Sequence, residues 1–534
     1  MKQLLLGVCL AAAGMVQGQI REDGGRYIVQ PEARAVVRGG ASADKNLKGS
    51  PAAVQRGNSA DECSAILIRY DVSQVPLETS LNSLIWYKGK ASGPGSNPCF
   101  AIYGVQNDWD EKTVSMNTLP AKIKRIEEVT VKPDVSGPVP FPVSRYVQQH
   151  LKDGKISFLI EMRSAPGFSQ TVEFSETPAL AIAKEQTPGY QLADLLRPVW
   201  KGSRMVNETA VPTSYNGRPA EANLAFVPSK IISVKNYALD KTYEAGKDYV
   251  IDGRTIRLTA GSSIPFFRYE ELYHNNPAAK PGVMKTVDGG YMTFSESAFF
   301  NDKQLAITYE HADPWIGPVP QPAKNLLPKT FQTLENKKPL KLVVFGDSIS
   351  VGASASGKSS RAPFMPRWGD LVADELNRAY GSEINYINPS LGGMRSDWGK
   401  NVIDGLVAFE KPDLIVLGFE MNDGGVPFTV EQFVANTRAM MDSVRKQNPD
   451  AEFILLMSFQ PNSKWRSLEP MPGYLEALKK MEGPGVAVAD LWSMHGCLLE
   501  HKTYWDMTGN HVNHPNDFMV RVYAQTLLAI LGVK

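Results

Sequence analysis

The C-terminal part of the chain constrains the fold most, because five short apolar runs alternate there with helical stretches. The runs are KLVVFGD, INYINPS, DLIVLGFE, EFILLMSFQ and VAVADLW, which begin at residues 341, 384, 413, 452 and 486. Stretches between them, such as RWGDLVADELNRAYG and TVEQFVANTRAMMDSVRKQ, have amphipathic helical spacing. Near-continuous apolar strands alternating with helices predict a parallel sheet covered on both faces over residues 340–534. Ligands of such sheets bind at the carboxyl ends of the strands.

The preceding part of the chain is rich in strands instead. Residues 20–187 alternate apolar and polar residues between Gly and Pro breaks, as in SAILIRYDVS and ISFLIEM, which is typical of a β-sandwich. Residues 190–325 form a predicted second β-rich domain, with a hairpin turn at the DG dipeptide of Asp252 and Gly253. The segment 317–340 contains five prolines and is predicted to be a semi-rigid linker.

The first residues have the pattern of a secretory signal. Lys2 precedes a short apolar run, and small or permissive residues follow, so residues 1–18 are predicted to be a signal peptide cleaved after Gly18. A lipoprotein site at Cys9 fits less well, because almost no apolar segment precedes it. No other stretch approaches the ~20 apolar residues that a membrane span needs. The protein is therefore expected to be secreted or periplasmic.

The charge and cysteine totals exclude some classes. The chain has 57 Lys and Arg against 56 Asp and Glu, which gives no electrostatic case for binding nucleic acid or an anionic membrane. Cys63, Cys99 and Cys497 remain after cleavage, and an odd number argues against a disulfide scaffold. Cys63 and Cys99 either pair in an oxidising compartment or are two small buried side chains.

Four residues near predicted strand ends or loops are candidates for chemistry. Ser348 follows the first apolar run and is either a nucleophile or the cap of the next helix. The paired glycines after the second run can present backbone N–H groups to a ligand, with Gly393 the better donor candidate and Gly392 the alternative. Asn422, after the third run, can donate its side-chain amide, and His514 lies just before the closing helix.

The order Ser, Gly, Asn, His in these blocks resembles the SGNH (GDSL-like) hydrolase family over residues 340–534. The resemblance implies an α/β/α flavodoxin-like domain with Ser348 as the nucleophile and His514 as general base and later general acid. It also implies an oxyanion hole formed by the N–H groups of Ser348 and Gly393 and the amide of Asn422. A serine hydroxyl needs such a base, and the tetrahedral oxyanion needs such donors. Asp347 is expected to hold the nucleophile turn.

One position departs from the pattern of that family, which usually places an Asp three residues before the histidine. His511 occupies that position here, and Asn510 precedes it. Either a backbone carbonyl orients His514, which would give a Ser–His dyad, or a more distant acid does, with Asp506 the tentative assignment. His511 is expected to pack the loop or face substrate rather than bind a metal. No metal-site spacing occurs elsewhere, so no cofactor is expected.

The N-terminal strands resemble the DNRLRE-type carbohydrate-binding domain. The blocks ILIRYDVSQVP, NDWDEKTVSMNTLP and VEFSETPALAI appear in the order of that family. The resemblance implies a glycan-binding module, within which Tyr70 and Trp109 are predicted to be core residues rather than sugar platforms.

These observations predict a carboxylic ester hydrolase, and the leading hypothesis is an exported carbohydrate O-acetylesterase. Its partner would be an acylated polysaccharide or oligosaccharide, cleaved through an acyl-enzyme, and an appended module would raise its concentration at the polymer. Arg395, Trp398 and Trp368 could shape the acyl or sugar pocket, and for the two tryptophans core packing is the alternative. The alternatives are a lipolytic or thioester hydrolase, and a non-catalytic glycan-binding protein whose hydrolase domain has decayed.

Overall fold

The structure is a computed structural model in which the chain forms two compact units. One unit contains Met1–Thr187, Ile387–Leu391 and Asn401–Lys411, and the other contains Pro188–Tyr386, Gly392–Lys400 and Pro412–Lys534. The predicted signal peptide, residues 1–18, lies outside the described residues and stays a prediction. The described residues are 20–23, 26–47, 53–56, 63–77, 83–87, 89–92, 97–131, 139–163, 170–174, 178–183, 189–359, 361–426 and 428–533.

The first unit is built mainly from antiparallel strands. They are β1 (Ile20–Asp23), β2 (Arg26–Val29), β3 (Pro31–Arg38), β4 (Ala53–Arg56), β5 (Cys63–Asp71), β6 (Ser83–Tyr87), β7 (Gly89–Ser92), β8 (Cys99–Val105), β9 (Lys122–Thr130), β10 (Val139–Pro142), β11 (Lys155–Arg163), β12 (Gln170–Phe174) and β13 (Leu180–Ala183). Helix α1 (Ser144–His150) lies between β10 and β11, and short 3-10 helices span Gly40–Ser42, Met116–Thr118 and Leu151–Asp153.

These strands form two sheets that share a core. One sheet has the order β1-β2-β13-β6-β10, and the other has the order β7-β12-β4-β5-β11-β8-β9, with β3 also paired to β5. Buried Val29 and Phe141 of the first sheet belong to the same apolar cluster as Ile68, Phe100 and Phe158 of the second. Side chains from two sheets that meet in one core define a β-sandwich. The prediction for this region is therefore confirmed.

The two aromatic residues predicted to be core residues are buried. Tyr70 is fully buried in the shared core, and Trp109 is 6% exposed in a second cluster on the outer face of β5 and β11. The Trp109 indole donates to Ser157 Oγ at 3.0 Å, which satisfies its one polar group. Cys63 and Cys99, both described residues, are not joined by a disulfide.

The second unit begins with a strand-rich part. Its strands are β14 (Arg204–Ala210), β15 (Thr213–Ser214), β16 (Glu221–Asn223), β17 (Pro228–Asn236), β18 (Tyr249–Asp252), β19 (Thr255–Leu258), β20 (Phe267–Arg268), β21 (Tyr273–His274), β22 (Val283–Lys285), β23 (Tyr291–Thr293) and β24 (Leu305–His311). Short helices α2 (Leu192–Leu195) and α3 (Tyr269–Leu272) and the 3-10 helix Asn301–Lys303 connect them. The sheets have the orders β14-β24-β17, β18-β19-β16-β15-β20 and β21-β23-β22.

The predicted turn at the DG dipeptide is confirmed. Asp252 pairs with Thr255 across a two-residue loop between β18 and β19, and Gly253 in that loop has φ +57°. A positive φ at this position favours glycine, which is why the dipeptide indicates a hairpin.

The rest of the second unit alternates strands and helices. The strands are β25 (Leu340–Gly346), β26 (Ile384–Ile387), β27 (Leu414–Gly418), β28 (Glu452–Met457) and β29 (Val486–Asp490). The helices are α4 (Pro328–Glu335), α5 (Trp368–Tyr380), α6 (Ser396–Leu406), α7 (Glu420–Asp423), α8 (Val430–Gln447), α9 (Met471–Met481), α10 (Leu491–Leu499) and α11 (Asp517–Ile530). Short 3-10 helices span Ala408–Glu410 and Tyr504–Asp506.

The five strands form one sheet with the order β26-β25-β27-β28-β29. The pairings of β27 with β25 and β28, and of β28 with β29, are parallel. This order, in which the first strand lies between the second and third, is that of flavodoxin-like doubly wound folds. The predicted parallel sheet is therefore confirmed, and the carboxyl ends of β25 and β27 lie side by side.

Helix α8 begins with a capping box, in which Thr429 accepts from the Gln432 N–H at 3.2 Å and Gln432 accepts from the Thr429 N–H at 2.9 Å. The predicted linker 317–340 instead contains helix α4, with buried Leu327 and Phe331. Proline density favours an extended chain, but Pro328 lies in the first turn of α4, where the missing N–H costs nothing.

Among the described residues, no helix is long and apolar enough to cross a membrane.

A buried ion pair joins the strand-rich part of the second unit to the parallel-sheet part. The Lys502 ammonium lies 2.6 Å from Glu208 Oε1, and both side chains are 0% exposed. Lys502 also donates to the Thr209 carbonyl at 2.7 Å, and the Tyr309 hydroxyl donates to Glu208 Oε2 at 2.6 Å. These additional hydrogen bonds to both side chains offset the free-energy cost of removing the two charges from water. The strand-rich part is thus packed into the same interior as the sheet.

Candidate active site

The strand β25 ends in a tight turn that presents Ser348. A Cβ added to Gly346 would lie 2.1 Å from the Gly418 carbonyl oxygen of β27, so this close approach of the two strands requires glycine. Asp347 Oδ1 accepts from the Ile349 N–H at 2.9 Å, which confirms that Asp347 holds the turn. Turns follow Ser348, and the next regular helix begins only at Trp368. Ser348 therefore does not cap a helix.

The loop before α11 brings a histidine to this serine. His514 Nε2 lies 2.8 Å from Ser348 Oγ, although the two residues are 166 positions apart. Both residues are largely buried, at 9% and 8% exposure. The His514 carbonyl accepts from Thr508 Oγ1 and from the Gly509 N–H, each at 2.9 Å, so the backbone of the loop is fixed on both sides.

Asn510 organises the same loop. Its Oδ1 accepts from three successive backbone N–H groups, those of Val512 at 3.0 Å, Asn513 at 2.9 Å and His514 at 3.0 Å. Its Nδ2 group donates to Glu296 Oε1 at 3.0 Å. The fully buried Asn510 side chain thus closes the loop with its oxygen and binds a carboxylate with its nitrogen.

Glu296 lies at the other ring nitrogen of His514. Its Oε2 is 3.0 Å from His514 Nδ1, and its side chain is 38% exposed. Burial raises the pKa of the Glu296 carboxyl, but the hydrogen bonds and charge of His514 and the bond from Asn510 outweigh it and leave this pKa below its usual value. Glu296 belongs to the strand-rich part, between β23 and β24, so nothing in the histidine loop itself indicated it.

The structure places Asp506 away from the histidine ring. Its Oδ1 accepts from the Val211 N–H at 2.6 Å, and its Oδ2 accepts from the N–H and the hydroxyl of Thr503, each at 2.7 Å. Asp506 therefore completes the capping box of the 3-10 helix Tyr504–Asp506, whose N-cap is Thr503, and binds the strand-rich part through Val211. The tentative assignment of Asp506 as the orienting acid does not match this geometry, because Glu296 occupies the place at Nδ1.

His511 is a packing residue of the loop. It is fully buried, adopts φ +70°, and its Nδ1 lies 3.0 Å from the Thr293 carbonyl. Rings of Tyr273, Phe300 and Trp505 surround it, with centroids 5.1–5.9 Å away. Burial lowers the pKa of His511 to about 4, so the ring is neutral near pH 7. No group of three or more His, Cys, Asp or Glu side chains in the described ranges is arranged to hold a metal ion.

Of the candidate oxyanion donors, Gly392 and Asn422 lie next to the turn that carries Ser348. Gly392 is close enough that an added Cβ would lie 3.5 Å from Ser348 Cβ, and Gly393 is exposed and has φ +81°. The Asn422 amide, in the short helix after β27, donates to the Met394 carbonyl at 2.9 Å and to Asp347 Oδ2 at 3.2 Å. The amide of Asn422 is therefore bonded both to the turn after β25, which carries Ser348, and to the loop after β26.

Buried carboxyl groups lie beneath the nucleophile turn. Burial, reinforced by the neighbouring Glu420, raises the pKa of Asp347 well above its usual value. Burial also raises the pKa of Glu420 to about 7 and that of Asp423 to about 6. Glu420 Oε1 accepts from the Ser458 N–H at 2.7 Å, and Asp423 Oδ1 accepts from the Ser396 N–H at 2.9 Å. These acids therefore fix the loops that follow three strands of the sheet.

Of the residues considered for the pocket, Trp368 is a core residue. It is fully buried, and its indole donates to the Ile349 carbonyl at 2.8 Å, which supports the nucleophile turn. Arg395 is paired with Asp397 at 3.0 Å and lies over the Phe428 ring. Trp398 packs against Phe345, with ring centroids 5.6 Å apart.

Two family models match separate regions of the chain. Residues 27–183 match carbohydrate-binding module family 96, and residues 344–521 match the GDSL-like lipase/acylhydrolase family. The C-terminal region is thus a GDSL-like acylhydrolase domain, a class of carboxylic ester hydrolase, and an N-terminal carbohydrate-binding-module domain precedes it. No curated protein matches the chain.

Solved structures of several esterases are similar to the chain. A two-domain esterase (CEX) active on acetylated mannans has 16% identity and a TM-score of 0.33, with 40% of this chain and 55% of that one covered. The acetylxylan esterase Axe2 of Geobacillus stearothermophilus has 18% identity and a TM-score of 0.30, with 36% and 95% covered. A family 3 carbohydrate esterase of Talaromyces cellulolyticus has 18% identity and a TM-score of 0.28, with 36% and 94% covered. The chain spans about half of the two-domain esterase, and likenesses this low do not identify a substrate.

Proposed function

We propose that this protein is an esterase that removes short acyl groups, foremost acetyl, from a polysaccharide or another glycan. The observation on which the proposal depends is the 2.8 Å contact between Ser348 Oγ and His514 Nε2 at the carboxyl edge of the parallel sheet. A serine hydroxyl within hydrogen-bond distance of an imidazole is the arrangement needed for nucleophilic acyl transfer. The match of residues 344–521 to an acylhydrolase family supports the same reaction class.

In the first half of the proposed reaction, Ser348 Oγ attacks the acyl carbonyl carbon and its proton passes to His514 Nε2. The tetrahedral oxyanion receives hydrogen bonds from the N–H groups of Ser348 and Gly393 and from the Asn422 amide, which gives up its longer bond, the one to Asp347 Oδ2, to make this contact. The bond from carbon to the sugar oxygen then breaks, and that oxygen takes the proton from His514. The products are a free sugar hydroxyl and an acyl-enzyme on Ser348.

In the second half, water attacks the acyl-enzyme. His514 Nε2 takes a proton from the water, the oxyanion forms again, and the bond to Ser348 Oγ breaks as Oγ regains the proton. A carboxylic acid leaves, and the serine and imidazole return to their starting states. The cycle consumes one water and needs no group outside the chain.

The glycan part of the proposal depends on the N-terminal region. Residues 27–183 match a carbohydrate-binding module family, and such a module raises the concentration of an attached active site at a polymer surface. Net charge near zero is compatible with a neutral polysaccharide, because no steering of an ionic substrate is needed.

The test is a substrate series with the full chain. We expect acetate release from acetylated polysaccharides, and rates on p-nitrophenyl esters that fall as the acyl chain becomes longer than acetyl. Retention of the Ser348→Ala variant on insoluble polysaccharide tests the module independently of turnover. A preference for long acyl chains or thioesters would favour a lipolytic or thioester hydrolase over the proposed glycan esterase. Hydrolysis that does not depend on Ser348 would refute the proposal.

Asn422→Ala is expected to lower kcat by about 10²–10³-fold, because it removes one oxyanion donor. KM should change little, since the donor contributes most when charge develops on the carbonyl oxygen. Steady-state kinetics on p-nitrophenyl acetate measures both values. Asn448→Ala, which removes an amide at the end of α8 that donates to the Pro412 carbonyl, is the control. An unchanged kcat in Asn422→Ala would exclude it from the oxyanion hole.

A further inference from the structure

We propose that Glu296, supplied by the strand-rich part of the second unit, is the positioning acid of the active site and that Asn510 couples it to the histidine loop. The inference rests on the proposed function and adds the residue that orients His514. Of the two alternatives, a backbone carbonyl and a more distant acid, it selects the second, with Glu296 in place of Asp506. The acid comes from a segment that lies outside the acylhydrolase match at residues 344–521.

The first reason is the tautomer of the imidazole. An ionised carboxylate only accepts hydrogen bonds, so Glu296 Oε2 at 3.0 Å requires the proton on His514 Nδ1. With Nδ1 protonated, Nε2 carries the lone pair and accepts from the Ser348 hydroxyl. The pKa of Glu296 lies below its usual value despite partial burial, because His514 and Asn510 hydrogen-bond to it, so the group is ionised near neutral pH.

The second reason is charge. His514 becomes an imidazolium when it takes the proton of Ser348, and an anion at Nδ1 stabilises that state. The Glu296 side chain is 38% exposed, so water screens part of this interaction. The expected effect of removing Glu296 is therefore smaller than that of removing the acid in fully buried triads.

The third reason is the position of Asn510. Its Oδ1 is committed to three backbone N–H groups of the loop, which turns its Nδ2 group toward Glu296 Oε1. One carboxylate oxygen of Glu296 thus faces an amide donor and the other faces the imidazole N–H. The single side chain of Asn510 thus fixes both the loop that carries His514 and Glu296, the acid that orients His514.

The geometry makes a specific prediction for Glu296→Gln. The new amide has one oxygen and one NH₂ group, while both facing groups, Asn510 Nδ2 and His514 Nδ1–H, are donors. Either orientation therefore leaves a donor facing a donor, or shifts the imidazole to the tautomer that cannot accept from Ser348. We expect kcat/KM to fall about 10²–10³-fold, and its ascending pH limb to move to lower pH because the imidazolium loses its anionic partner.

A compensating change separates positioning from simple damage. Asn510→Asp alone places two carboxylates together and is expected to lower kcat/KM. Combined with Glu296→Gln, the Gln NH₂ donates to the new carboxylate and the Gln oxygen accepts from His514 Nδ1–H, which restores both donor–acceptor pairs at position 296. The double variant should regain at least tenfold in kcat/KM over Glu296→Gln. A merely structural role would give additive losses.

The experiment measures kcat/KM against pH for the full chain with p-nitrophenyl acetate, in both single variants, the double variant, Glu296→Ala and Ser348→Ala. Glu270→Gln, at an exposed position in the same part of the chain, is the charge-matched control. Wild-type rates and an unmoved pH limb in both Glu296 variants, with Ser348→Ala inactive, would overturn this inference alone. Additive losses in the double variant would also overturn it. Activity that survives in Ser348→Ala would overturn the proposed function instead.

Discussion

Ser348→Ala is expected to lower kcat by on the order of 10⁴-fold or more, the largest effect of any single change in this chain. The variant loses the attacking oxygen, and His514 then has no hydroxyl proton to take. Residual hydrolysis would come only from the oxyanion donors acting on a bound ester and water. Steady-state hydrolysis of p-nitrophenyl acetate measures the loss, and a burst of p-nitrophenol before the steady state would indicate the acyl-enzyme in the wild type.

The control for this variant is Ser350→Ala, two positions away in the same turn. Ser350 is buried, and its hydroxyl lies 3.5 Å from the Gly418 carbonyl, so the change removes the same atom without touching His514. Its kcat should stay within a few-fold of the wild type. Equal losses in both variants would mean that the turn, rather than the Ser348 hydroxyl, accounts for the effect.

Lys502→Met is expected to lower the free energy of unfolding of the second unit by about 3–5 kcal/mol, because it leaves the buried Glu208 carboxylate without its cation. Both side chains are 0% exposed, so water cannot replace the missing partner. The Tyr309 hydroxyl and the Ala225 N–H would remain as the neutral donors to Glu208. Urea unfolding followed by loss of esterase activity measures the change.

Two further variants show whether the loss of stability in Lys502→Met comes from the unpaired Glu208 charge. Lys502→Met combined with Glu208→Gln removes both charges and should recover much of the lost stability, since the unpaired charge is the main cost. Lys247→Met is the matched exposed change, because Lys247 and its partner Glu244 are 66% and 69% exposed, and it should cost less than about 0.5 kcal/mol. A similar small effect for Lys502→Met would show that the strand-rich part adds little to the stability of the sheet.

The fold followed from the sequence wherever periodicity and turn chemistry were strong. The five apolar runs became adjacent strands, and Gly253 formed the predicted hairpin turn. The segment 317–340 was less predictable, because the burial of Leu327 and Phe331 depends on partners distant in sequence. Proline content predicts only the local backbone preference of an isolated segment, whereas helix α4 is stabilised by tertiary packing of its apolar side chains.

The candidate site was predictable only where its residues follow the sheet. Ser348 and Asn422 follow β25 and β27, so strand order alone brings them together. Glu296 has no such signal, because it lies in a turn between short strands and meets His514 only through tertiary packing. Asp506 was favoured because it is near His514 in sequence, yet its carboxylate is occupied by Thr503 and Val211.

The hydrogen bonds of the closing helix α11 bear on how this enzyme can be divided for protein engineering. Gln525 donates to the carbonyls of Leu195 and Arg197, and Arg521 donates to those of Val206 and Asn207. A catalytic fragment cut at residue 340 would expose these buried groups and would also discard the carboxylate at His514. A fragment that keeps these bonds and this carboxylate must therefore include the strand-rich part from about residue 189 onward, and libraries that recombine shorter pieces should return inactive chimaeras.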